Sequence, residues 1–237
     1  VAVLRWHFRD WPALALLIAS LVSVVLASSF TFFAFGHEEE IALRNMQTTF
    51  RGFAILAPLL ALPRLAMTTF NNEGLALDAI PRSQLRQLGE IVIVHLSFVA
   101  VSLLILAVMA LVSLGLKRGG QDPAVQDLIP SLTQAFLLST LLTPVSLFWS
   151  TVARGAAVYM INLTFFTLAA LKARMPLPSA MRSYLLAPLP DVSWFDPELT
   201  RSYTSMAIEV TYCGVIGLGY LLAAAWLLGR RSSRGDS

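Results

Sequence analysis

Six long stretches of this chain are almost free of charge, and they leave it few ways to fold. The runs 13–35, 91–116, 132–152, 155–171 and 210–228 contain no Asp, Glu, Lys or Arg, and 53–70 contains only Arg64. A helix crossing the hydrocarbon core of a bilayer needs about 20 consecutive apolar residues. In lipid every backbone polar group must also be satisfied within the segment, which favours helices. The runs therefore predict an all-α integral membrane protein with six transmembrane helices. Composition agrees: of 237 residues, 57% are hydrophobic and 13% charged, against about 25% charged in soluble domains. Six spans and their connections use most of the chain, so one transmembrane domain over 1–237 is expected, without a separate soluble catalytic domain.

Four of the runs qualify by length and purity. The run 155–171 is short and 53–70 carries a charge; both are counted, because omitting either would put the chain ends on opposite sides. Basic residues near span ends favour the cytoplasm. Arg5 and Arg9 precede the first run and Arg230, Arg231 and Arg234 follow the last, which predicts both ends inside. Arg82 and Arg86 then fall inside as well, and Glu38, Glu39 and Glu40 of a GHEEE loop fall outside. Against this, Lys117, Arg118, Lys172, Arg174 and Arg182 fall on the outer side, so the basic residues split nearly evenly. Trp6, Trp11, Trp149 and Trp226 are expected at inner ends, where an indole is half buried and half wet. The first run is too long for a signal-peptide core and lacks a small-residue cleavage site, so it is read as a retained helix.

The net charge of +3 is small and scattered, which argues against nucleic acid as a partner. The single Cys213 forms no internal disulfide and anchors no metal cluster alone. No Ser/His/Asp grouping lies in the spans, no carboxylates pair there, and no glycine loop is shaped for phosphate; Gly119 and Gly120 fall in an outer turn.

Two connections are longer than a hairpin requires. The outer one, 172–209, sets five prolines among residues 175–197 beside Tyr184, Leu185, Leu186, Trp194 and Phe195. That is too apolar for disorder, and predicts short helices on or in the outer leaflet. The inner one, 71–90, reads NNEGLALDAIPRSQLRQLGE. Glu73 and Gly74 close the exit of the second span, and Leu75, Leu77 and Ile80 form a brief apolar face. Pro81 breaks the chain, and Ser83 is a candidate N-cap for a helix from Gln84 that runs into the third span. The predicted product is a short amphipathic cytoplasmic helix suited to docking on a soluble partner.

This inner segment resembles that of permeases of the ABC exporter type-2 class. The matching positions are Glu73, Gly74, 75–80, Pro81, Arg82 and Ser83. A second stretch, Leu189, Pro190, Asp191, Val192, Ser193, Trp194, Phe195 and Asp196, is similar to one before the last span in multicopper-enzyme-maturation-like members. The apolar last span followed by Arg230 and Arg231 fits too. The resemblance implies that Glu73 to Ser83, Leu77 included, acts as a coupling helix against an ABC ATPase. It also implies an outer re-entrant segment containing Pro190, Asp191, Trp194, Phe195 and Asp196. ATP and Mg would be bound by those partner subunits, this chain carrying no cofactor. A second permease copy or paralogue would complete the pathway, in a bacterial inner membrane. The rival expectations are a membrane scaffold or assembly subunit, and an ABC permease of the haem-exporter kind.

Individual residues allow sharper and blander readings. His95, one turn into the third span, suits a proton relay or ligand, but a hydrogen-bonded interhelical histidine is preferred, and without a second intramembrane histidine there is no bis-histidine haem site. Arg64 is expected to snorkel to headgroups rather than gate a substrate. Arg44 and Arg51 share a face if the second helix starts early; a solvated helix end is preferred to a polar entrance. Glu209 opens the last span and either pairs with Arg201 or marks the boundary. Met160, Met175, Met181 and Met206 fall toward the outer side, as Cu(I) ligation would require, but their spacing makes no motif and gap-filling is preferred. Gly214, Gly217 and Gly219 are spaced for close helix approach, within the chain or at a subunit interface.

Overall fold

A computed structural model describes residues 11–30, 38–67, 84–117, 125–172, 189–190 and 203–235. Among these residues the chain is helical: α1 (Trp11–Phe30), α2 (Glu38–Leu56), α3 (Gln84–Lys117), α4 (Val125–Val152), α5 (Ala156–Leu171) and α6 (Tyr203–Gly235). A π-helical turn, Ala57–Ala61, continues α2 into a final helical stretch at 62–67.

Four stretches are long and apolar enough to cross a membrane: Ile41–Met67, Leu85–Ser113, Leu128–Val152 and Val210–Arg230. Trp11–Leu26 and Ala156–Leu171 are shorter apolar helices. The weaker-looking run from Phe53 thus belongs, as far as Met67, to a qualifying helix that begins much earlier. Glu38, Glu39 and Glu40 are its first residues rather than a loop, and Arg44 and Arg51 both ride on it. Charge had hidden the start of this helix, whose apolar residues Ala42, Met46, Phe50 and Phe53 return every three or four positions and are buried. The helix expected from Gln84 begins there and continues unbroken to Lys117. At 34 residues it is about 50 Å long, more than the hydrocarbon thickness of about 30 Å, so it extends past the apolar layer.

Outward faces are apolar. Ile93, Leu104, Val108 and Val112 on α3 and Val215, Leu218 and Leu222 on α6 are exposed. Helices apolar all round are stable when hydrocarbon, rather than water, surrounds them. This is a membrane protein.

Shared contacts give the helix directions. Leu65 and Ala66, near the exit of the α2 stretch, cluster with Leu88 and Ile91 at the start of α3, Leu147 late in α4 and Ala224 late in α6. A groove lined by Pro12, Ala15, Leu16, Ala19, Leu60 and Tyr159 brings the starts of α1 and α5 toward the same end. Successive helices therefore alternate in direction, and the start of α1 and the last turns of α6 lie at one end of the bundle. That end also holds Met67 and Gln84, which flank the inner segment.

α4 is the hub, packing on α2, the π turn, α3, α5 and α6. Of its apolar window 72% is buried, against 17% for α6. The α4–α6 pair is the most extensive contact in the bundle. It rests on Pro144, inside α4, and Gly217. A Cβ on Gly217 would stand 3.2 Å from Pro144 Cγ, so the glycine is a notch that admits the proline ring. Gly214 and Gly219 meet nothing within 4 Å. Of these three glycines, Gly217 is the one set at a close helix approach within the chain.

Candidate functional site

Hydroxyl groups run along α4 in a bundle that offers them no bulk water. Most are satisfied by their own helix: Thr140 Oγ1 donates to Phe136 O at 2.9 Å, Thr143 Oγ1 to Ser139 O at 2.7 Å and Ser150 Oγ to Ser146 O at 2.8 Å. Such bonds to the preceding turn are the least costly way to keep a hydroxyl in an apolar interior.

Ser146 differs. Its Oγ donates across the bundle to the carbonyl of Pro58 at 2.6 Å, and accepts from Asn162 Nδ2 at 3.0 Å. Both side chains are buried. The carbonyl can only accept, so the hydroxyl proton points to Pro58. Toward Asn162 the oxygen must then accept, which fixes the orientation of the amide. A single polar chain, Asn162 to Ser146 to Pro58, joins α5, α4 and the π turn of α2.

The local sequence explains the acceptor. In the π turn the Leu62 N–H bonds Ala57 O, five residues back. The next donor in that register would be residue 63, facing Pro58 O, but Pro63 has no N–H. Pro58 O is therefore left without a helical donor, and Ser146 supplies one. A bare buried carbonyl would cost about 1–3 kcal/mol.

Asn162 Oδ1, Trp149 Nε1, Ser139 Oγ, Ser102 Oγ and Gln134 Oε1 are buried without a hydrogen-bond partner among the described residues. Trp149 packs edge-on against Phe148 at 5.0 Å and Phe165 at 5.5 Å, and Tyr220 of α6 closes on Phe148 at 5.5 Å. Trp149 is thus an internal packing residue, whereas Trp11 and Trp226 are exposed, the latter stacked under Arg230 at 3.9 Å. Among the described tryptophans, Trp11 and Trp226 have the exposure expected of boundary residues; Trp6 lies outside the described residues.

The other sequence candidates are placed as follows. His95 is fully buried, 6.2 Å from the Phe98 ring. Arg64 is exposed three residues before the end of its helix, in position to snorkel. Arg86 pairs with Glu90 at 3.2 Å on the surface of α3, an arrangement worth little in stability. Met160 lies in the second turn of α5, at the opposite end of that helix from Lys172, beyond which Met175 and Met181 follow in sequence. Met175 and Met181 themselves lie outside the described residues. No cluster of three or more His, Cys, Asp or Glu occurs among the described residues.

Glu73, Gly74, Leu77, Pro81, Arg82 and Ser83 lie outside the described residues, as do Asp191, Trp194, Phe195 and Asp196. Of the outer segment, Leu189 and Pro190 are described and buried, and Lys172 Nζ donates to Leu189 O at 2.9 Å. This ties Leu189 to the end of α5. Sequence reasoning missed Ser146, Asn162 and Pro58. The available signals were a lone amide, Asn162, in a charge-free 16-residue helix and two prolines five residues apart in one span.

Comparison of the chain with protein-family models, with curated proteins and with solved structures finds no match.

Proposed function

We propose that this chain is the membrane-spanning permease subunit of an ATP-driven exporter. Separate ABC ATPase subunits would bind ATP and Mg, and a second copy or a paralogue would complete the pathway. The membrane would be a bacterial inner membrane, with both termini and the inner segment cytoplasmic. The observation that carries the reading is where the inner segment is anchored. Its flanks, Met67 and Gln84, emerge at the end of the bundle where α2, α3, α4 and α6 share one apolar cluster. A force applied to residues 68–83 would therefore reach four helices through Leu65, Ala66, Leu88, Leu147 and Ala224. Such coupling needs two sites and a two-state element between them. The sequence of the segment, with Glu73, Gly74, Pro81 and Arg82, supports docking on an ATPase by its resemblance to the type-2 coupling helix.

The test is purification of the tagged chain in mild detergent, with mass spectrometry of what accompanies it. Recovery of an ABC ATPase is expected. A stable complex without one would replace this reading with a membrane scaffold.

A further inference from the structure

We infer that Ala57–Ala61 is a two-register joint in the α2 stretch, and that the Ser146 hydroxyl is the latch that selects its π register. This goes beyond the permease reading and does not rest on it.

Pro63 withholds one N–H, so one carbonyl of the preceding turn must go without a helical donor. Which carbonyl it is depends on the register. With bonds to the fifth residue back, as now, Leu62 serves Ala57 O and the bare group is Pro58 O. With α-helical bonds to the fourth residue back, Leu62 would serve Pro58 O and the bare group would be Leu59 O. The two states differ by one carbonyl, and Ser146 reaches Pro58 O at 2.6 Å. Asn162 holds the hydroxyl in that orientation by donating to its oxygen at 3.0 Å. A displacement of α4 from α2 removes the donor from Pro58 O and with it the advantage of the π register.

Changing register turns residues 62–67 about the helix axis relative to Glu38–Leu56. Leu62, Leu65 and Ala66 on that stretch pack on Leu88 and Ile91 of α3 and on Leu147 of α4. Rotation of the α2 exit is thereby linked to the seating of α4 and α5, and it is delivered to the chain that follows Met67. π turns inside α-helices occur frequently at functional sites, and here the sequence supplies both the second register and its selector.

The test is a cysteine-accessibility cycle on the full chain in mild detergent. Cys213→Ser removes the native thiol, and Ala66→Cys places a reporter at a fully buried position. Ser146→Ala is expected to speed maleimide labelling about tenfold, which corresponds to a population shift of about 1.4 kcal/mol. With Pro63→Ala also present, residue 63 has an N–H and the α register leaves no carbonyl bare, so that register is favoured whether or not Ser146 is there. Ser146→Ala should then leave the labelling rate unchanged. An equal change in both backgrounds, or none in the parent, overturns the latch. If Ser146→Ala alone fails to fold, rescue by Pro63→Ala supports the inference, and failure of the double variant overturns it.

Discussion

Asn162 shows how much one side chain decides here. It is a buried amide on a helix of otherwise apolar buried residues, with one bond made and one carbonyl oxygen left over. Replacement by Leu removes a donor to Ser146 together with the unsatisfied oxygen, so the two effects offset. Asn162→Leu should lower stability in detergent by about 1 kcal/mol, in the range measured for membrane-protein side-chain bonds. Asn162→Asp keeps the shape but brings a charge into a low-dielectric site and presents acceptors to the Ser146 oxygen. It should cost more than about 3 kcal/mol. Thermal midpoints of the two variants check the ordering; equal losses would mean that Asn162 serves only to fill space. At this scale the sequence was partly legible. Arg64 is exposed near the end of its helix, as snorkelling requires, and the exposed Trp11 and Trp226 fit boundary roles. Trp149 did not, because its position in the chain cannot reveal that Phe165 and Tyr220 converge on the same region.

Among elements, α4 and α6 form the pair on which the bundle most depends, through a proline ring set in a glycine notch. Gly217→Val would place branched methyls where a bare Cβ already meets Pro144 Cγ at 3.2 Å. Overpacking of this kind costs about 1–3 kcal/mol, and should lower the midpoint clearly. Gly214→Ala meets open space and should be neutral or slightly stabilising by helix propensity, about 0.5–1 kcal/mol. If both behave alike, the notch is not what seats the two helices. The start of α3 at Gln84 was legible because Pro81 and Ser83 punctuate the chain just before it. The start of α2 at Glu38 was not. A count of charge-free residues stops at Arg51, while buried Ala42, Met46 and Phe50 carry the helix on. The π turn was invisible for a different reason: register is a matter of which carbonyl finds a donor, and the donor here is 88 positions away in sequence.

For the whole molecule, the charge-free runs predicted a helical membrane protein, and four long apolar helices with apolar outward faces bear that out. The two shorter helices, α1 and α5, complete an alternating bundle that brings the start of α1 and the last turns of α6 to one end. Transport is a claim of another kind, since it depends on what the inner segment touches. The direct measurement is site-specific photocrosslinking from Leu77, replaced by a photoreactive amino acid in the full chain, in native membranes. The account predicts an adduct with an ABC ATPase, lost when residues 73–82 are scrambled although the chain still inserts. An adduct confined to lipid, to this chain itself or to a protein without an ATPase fold would contradict it.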